Sequence, residues 1–192
     1  MIITRLIMKF SKVKSGKNLK LKGFSFIYNK KGAKLSIGNN CTVKSSFFSN
    51  LVGLYQSSII VTRSKDAVIT IGDNVGMSGV TVYARKGISI GDNTCIGGNV
   101  KILDNDFHPV DYEKRNELLM GKAPESGERA EWIGAKPVVI GKNCFIGCNA
   151  LILKGAKLGD GCVVGAGSVV TGEFPPMSVI AGNPARIIKK LS

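Results

Sequence analysis

The 192-residue chain has one histidine and one tryptophan, and aromatic residues make up only 7% of it. No aspartate or glutamate occurs before Asp66, and no run of eighteen apolar residues occurs anywhere. Each scarcity excludes something. With one histidine, a single chain cannot hold a zinc ion with three of them. Sparse aromatics and the lack of a known binding motif set nucleic acid aside, despite a formal charge of +14. Without a long apolar run no transmembrane helix is expected, and MIITRLIMKF is too short and too early-charged for a signal peptide. The five cysteines are an odd number, which suits free thiols in a reducing cytoplasm better than a disulfide framework. Cys144 and Cys148 lack the paired spacing of a zinc site, and no metal is expected.

The missing carboxylates leave the first 65 residues strongly basic, with Lys9, Lys12, Lys14, Lys17, Lys20 and Lys22 close together. Two readings of that stretch stand. It is a solvated face of the outer structure, or it attracts an anionic surface or substrate such as a phospholipid or a lipid-diphosphate sugar carrier.

What the chain has in abundance is one six-residue phrase. From Ile140 it runs IGKNCF, IGCNAL, ILKGAK, LGDGCV, VGAGSV, then Val170. It also appears as IGNNCT from Ile37, IGDNVG from Ile71 and IGDNTC from Ile90. A helix needs apolar residues at three- and four-residue steps, and an ordinary strand alternates them. One aliphatic residue every sixth place, followed by Gly and then a small residue, fits a short strand and a tight corner instead. Gly and Asn accept the positive φ that such corners need. Three units close a triangular coil of roughly eighteen residues, so the fold class is all-β, a parallel β-helix of stacked hexapeptides. Cys41, Cys144 and Cys162 fall on the small corner position and read as apolar fillers.

The phrase lapses between Ile102 and Val138. The chain is therefore read as one domain in three parts. A basic segment, residues 1–34, packs on the first coil. The β-helix covers 35–175 and carries a loop insert at 104–137. The final segment, 176–192, contains a short amphipathic helix over Ala185–Leu191. A long polar loop on a regular scaffold is where function concentrates. The only histidine, His108, sits in it within DNDFHPVD. Near neutral pH an imidazole is suited to accept a proton, and a carboxylate such as Asp104, Asp106 or Asp111 can fix its tautomer. The alternative is an ordinary solvated loop residue.

The hexapeptide run, DFHP and the ending AGNPARIIKK together resemble the hexapeptide-repeat acyltransferases with a left-handed β-helix. Within them the similarity is greatest to maltose, galactoside, nodulation-factor and surface-polysaccharide O-acetyltransferases. It spans about residues 35–190. The left hand comes from the resemblance alone, since parallel crossovers are usually right-handed. The resemblance implies a homotrimer with active sites between neighbouring subunits, acetyl-CoA as acyl donor, a sugar or glycan acceptor and a cytoplasmic setting. It assigns the general base to His108, with Asp106 beside it. It implies direct transfer without a covalent enzyme intermediate, so Cys148 is not a nucleophile. For CoA it points to Gly147, Cys148, Ala166 and Thr171 along the pantetheine arm, and to Arg186 and Lys189 for phosphate. Tyr83, Arg85 and Asp104 are candidates on the acceptor side. Two positions depart from the family pattern: Phe145 stands where Trp is common, and Gly172 where a Lys often follows the matching Thr.

Alternative acceptors are the amine of an amino sugar, or a xenobiotic of the chloramphenicol or streptogramin type. A γ-class carbonic anhydrase needs three histidines on its zinc, and this chain offers one. Serine acetyltransferases carry a large helical domain for which there is no room before Ile37. A structural or ice-binding β-helix has no need of the charged loop, the histidine or the basic ending.

Overall fold

The computed structural model describes residues 2–122, 124 and 131–191. Met1, Ser192 and residues 123 and 125–130 of the loop insert lie outside the described residues. Three sheets, paired in parallel from coil to coil, form the faces of a prism. Face A has seven strands, from Lys14–Ser15 to Glu173–Phe174. Face B runs from Lys20–Lys22 to Ser178–Gly182 and ends on an eighth, antiparallel strand. Face C has six, from Phe26–Tyr28 to Val169–Val170.

The register explains the six-residue phrase. Its aliphatic positions stack as columns pointing inward: Ile37, Ile71, Ile90, Ile140 and Leu158 on face A. Val43, Met77, Ile96, Ile146, Val164 and Ile180 stack on face B, and Ile27, Ile60, Val82, Ile102, Ile152 and Val170 on face C. All are buried. The strands are too short to hold a sheet alone, so each coil depends on the one beneath it for its core and its hydrogen bonds.

The turn residues stack as well. Asn18, Asn40, Asn74, Asn93 and Asn143 occupy one corner with φ of 56–58°. Asn side chains tolerate this left-handed conformation, and here they also bond to one another: Asn18 Nδ2 donates to Asn40 Oδ1 at 3.0 Å, Asn40 to Asn74 at 3.2 Å and Asn74 to Asn93 at 2.9 Å. The residue before each Asn adds a second ladder. Asp73 Oδ1 accepts from Asn39 N at 2.7 Å, and Asp92 Oδ1 from Asp73 N at 3.0 Å. The Asp73 N–H and then Lys142 hold the Asp92 carboxyl below the usual carboxylate range.

Two expectations are corrected. Residues 1–34 do not pack on the first coil; from Lys14 they are the first coil. Their strands pair with Lys34–Ile37, Thr42–Lys44 and Ile59–Thr62. Leu21 and Ile27 fill the inward positions, but the phrase is too degenerate there to be read. Ahead of this coil lies helix α1 (Ile2–Phe10). The ending Ala185–Lys190 is a strand and not a helix, antiparallel to Ser178–Gly182. The chain reverses through Gly182, at φ 105°, and the last coil offers an open sheet edge that the returning segment fills.

The corner cysteines are structural. Cys41, Cys144 and Cys162 are fully or almost fully buried. Burial pushes the Cys144 thiol up to about 11 and raises Cys41 too. Native alkylation at mildly alkaline pH should therefore label Cys95, which is exposed, and Cys148, which is half-buried, with the other three reacting only in denaturant; peptide mass mapping checks this. Stacking should also discriminate between glycines. A Cβ on Gly91 would lie 2.6 Å from the backbone of Gly141, whereas one on Gly76 meets nothing within 4 Å. Gly91→Ala should cost about 1–3 kcal/mol and Gly76→Ala should be neutral or slightly stabilising, as read by urea denaturation.

Candidate active site

The insert leaves face C after Lys101–Leu103 and rejoins face A at Val138–Ile140. Its base is clamped. Lys136 N donates to Asp104 O at 2.8 Å and Asp106 N to Ile133 O at 3.1 Å. Asp104 is fully buried. Its carboxylate accepts from the backbone N–H groups of Arg85, Lys86 and Gly87 at 2.7–3.0 Å. Asn105 Nδ2 also donates to it, at 2.9 Å. That arrangement corrects the acceptor-side role expected of Asp104: its oxygens are committed to the corner below and have no access to a substrate.

Asn105 passes the order onward. Its Oδ1 accepts from Phe107 N at 2.9 Å. His108 N then donates to Asp106 O at 2.7 Å, closing a three-residue turn around Phe107, whose φ is 64°. A γ-turn with positive φ is rare and strained, and strain of this kind persists where the surroundings over-determine it. Here the Phe107 ring packs on Tyr83 with centroids 4.8 Å apart. His108 itself is exposed, while Pro109 is buried.

Helix α2 (Tyr112–Leu119) holds the far side of the turn. Asp111 caps it, accepting from Glu113 N at 2.9 Å and Lys114 N at 3.1 Å. Arg115, one turn along, donates from Nη1 to the carbonyls of Pro109 and Val110, both at 2.9 Å. The helix thus fixes the residues that follow His108.

Asp106 is not the partner of the imidazole. Its carboxylate forms an ion pair with Lys154, both groups being about 29% exposed, and only its carbonyl touches His108. Among the described residues the imidazole makes no hydrogen bond. Tyr83 and Arg85 do lie beside the loop. Arg85 also has a buried Nε without a hydrogen-bond partner among the described residues. Sequence reading missed Asn105, Phe107, Arg115 and Lys154. The repeat did not mark them: the Gly missing from ILKGAK is replaced by Leu153 rather than by Lys154.

The residues expected to hold CoA fall on the two edges of face C. Gly147, Cys148 and Ala166 stack on the edge shared with face B, where a Cβ on Gly147 would strike the Ala166 backbone. Coil stacking therefore demands that glycine by itself. Arg186 joins this edge opposite Ala181, and Lys189 lies opposite Val179. Ala166, Arg186 and Lys189 are exposed. Thr171, also exposed, lies on the other edge, two coils beyond the start of the His108 loop. Phe145 projects outward from face B, 49% exposed.

The coils have counterparts in known proteins. A family described as "Hexapeptide repeat of succinyl-transferase" matches residues 137–172. The galactoside O-acetyltransferase of Escherichia coli (strain K12) is 38% identical over 113 residues, 59% of this chain and 49% of that protein. A second protein of that strain, named "Putative lipopolysaccharide biosynthesis O-acetyl transferase WbbJ", is 36% identical over 124 residues, 64% of this chain and 61% of its own length. The chain thus spans 49% and 61% of the length of these relatives. Among solved structures, AntD, an N-acyltransferase from Bacillus cereus in complex with dTDP and 3-hydroxybutyryl-CoA, superposes with a TM-score of 0.67 at 21% identity. The match covers 98% of this chain and 88% of that one. The chain carries hexapeptide repeats and folds as a left-handed parallel β-helix. Within that class its resemblance is to the acyltransferases, among them proteins named for sugar O-acetylation.

The clamp at the loop base is testable without any activity. Asp104→Ala should lower the unfolding free energy by about 3 kcal/mol, because it leaves buried N–H groups unpaired. Asp106→Ala, which breaks a part-exposed ion pair, should cost about 1 kcal/mol or less. Chemical denaturation of the two variants checks the difference.

Proposed function

We propose that the protein is an acetyl-CoA-dependent O-acetyltransferase acting on a hydroxyl of a sugar, a surface-polysaccharide precursor. The observation that carries this reading is the exposed His108, presented on a strained turn that Asp104, Asn105 and Arg115 hold from three sides. The sequence similarity to sugar O-acetyltransferases supports the donor and the acceptor class. The CoA-side residues fit a pantetheine arm in one respect: Cys148 and Ala166 are small side chains on the edge that Arg186 extends, and a guanidinium suits phosphate.

His108 accepts the proton of the acceptor hydroxyl as its oxygen attacks the thioester carbonyl. Backbone N–H groups stabilise the oxyanion. The imidazolium returns its proton to the departing sulfur, so CoA leaves as a thiol and the acetyl group ends as an ester. Phe107 and Tyr83 form an aromatic wall beside the base. The His108 loop and the Gly147–Ala166 line lie on opposite edges of face C. A homotrimer, in which one subunit's loop meets a neighbour's edge, brings them together. A CoA donor and free thiols both suit the cytoplasm.

Thiol release from acetyl-CoA, run with nucleotide sugars, lipid-linked sugars, free sugars, amino sugars and chloramphenicol, tests the assignment. A hydroxyl-bearing sugar should turn over, whereas exclusive acetylation of an amine or of chloramphenicol would replace the reading. With a competent acceptor, His108→Ala should lower kcat by about 10²–10⁴ while CoA binding, followed by calorimetry, persists. Full activity in that variant would remove His108 from the chemistry. Sedimentation should show a trimer, and a stable monomer at assay concentration would contradict a site shared between subunits.

A further inference from the structure

Acyl transfer leaves the first end of the prism without a role. Helix α1 is tied down along one line. Thr4 Oγ1 donates to Ser25 O at 2.8 Å and accepts from Ser25 N at 3.1 Å, and Met8 enters the core. The adjacent flank faces outward with Ile2, Ile3, Leu6 and Phe10, which are 77, 62, 47 and 81% exposed. A groove of about 880 Å³ separates this flank from Phe26 and Tyr28 of face C. The rim of the groove carries Lys12, Lys14, Lys30 and Lys31, and Arg5 and Lys9 are exposed on the remaining side of the helix.

We propose that this end docks on the surface of an anionic phospholipid bilayer. In that arrangement the apolar flank of α1, with Phe26, enters the boundary between headgroups and acyl chains, and the surrounding cations meet the lipid phosphates. An apolar stripe bordered by lysine is the pattern of an interfacial helix. The charge of the whole region agrees: the first 65 residues hold 13 Lys and Arg and not one carboxylate. A second copy docking through the same face would set lysine against lysine. Nucleic acid would use the cations but leave the apolar flank in water. A nine-residue helix is only about 13 Å long, so docking is reversible and needs both its apolar flank and its charge. The inference stands whether or not the protein transfers acyl groups.

The test is co-sedimentation of the full chain with vesicles of phosphatidylcholine alone or mixed with phosphatidylglycerol, at low and high salt. Binding is expected on the mixed vesicles, and raising the salt should weaken it. Ile3→Asp with Phe10→Asp should reduce it about tenfold or more, and so should Lys14→Gln with Lys30→Gln and Lys31→Gln. All five side chains lie at the surface or the groove rim, so melting temperatures should change little. If the aspartate variant folds poorly, the lysine variant and the salt series decide the question independently. Failure to bind mixed vesicles would overturn the proposal. So would equal binding to both vesicle types, undiminished binding by both variants, or a smaller sedimenting species for the aspartate variant, which would mark a contact between copies. Retention on RNA in preference to the mixed vesicles would also overturn it.

Discussion

Everything in this molecule depends on each coil being the floor of the next. Strands of two to four residues have almost no stability of their own. They persist because their inward aliphatic residues stack in register and every corner repeats the backbone conformation beneath it. The Asn ladder shows how tightly sequence and geometry are joined. The same residue type supplies the positive φ and the lateral hydrogen bond. Glycine at the second place of the phrase has a different cause, since neighbouring coils pass too close there to admit a Cβ.

Stacking protects the sides of the prism but not its ends. The chain closes each end differently. At the first, α1 lays Met8 and Thr4 over the opening coil and keeps its remaining apolar residues outside. At the other, the Ala185–Lys190 strand turns back against the last coil and occupies an edge that would otherwise invite another chain. That return also places Arg186 in line with the small residues of the earlier coils, so a structural cap becomes part of the candidate binding edge.

A rigid scaffold lets a loop be strained. The turn at Phe107 is held by a buried carboxylate below it, an amide beside it and a helix beyond it. None of these contacts involves the imidazole, which stays exposed. The charged groups around the loop therefore divide the labour: Asp104 builds, Asp106 pairs with Lys154, Asp111 caps a helix, and the His108 side chain is left without a hydrogen bond among the described residues.

How much was legible follows from the range of the forces involved. A fixed period, with one chemical role per position, is local information. It was enough for the β-helix, for the buried cysteines at its corners and for the place where the repeat stops at Ile102. It also marked His108 as a candidate, because one histidine in an interrupted repeat stands out. The sequence did not show what each acidic neighbour does, since Asp104 meets residues 85–87 and Asp106 meets Lys154 only once coils are stacked. Nor did it show that the ending is a strand, which depends on an open sheet edge brought to it by tertiary structure. By itself the sequence determined the coil, because the coil's geometry repeats every six residues. The tertiary structure alone decided the site and the exposed end, because both are built from residues that only stacking and chain reversal bring together.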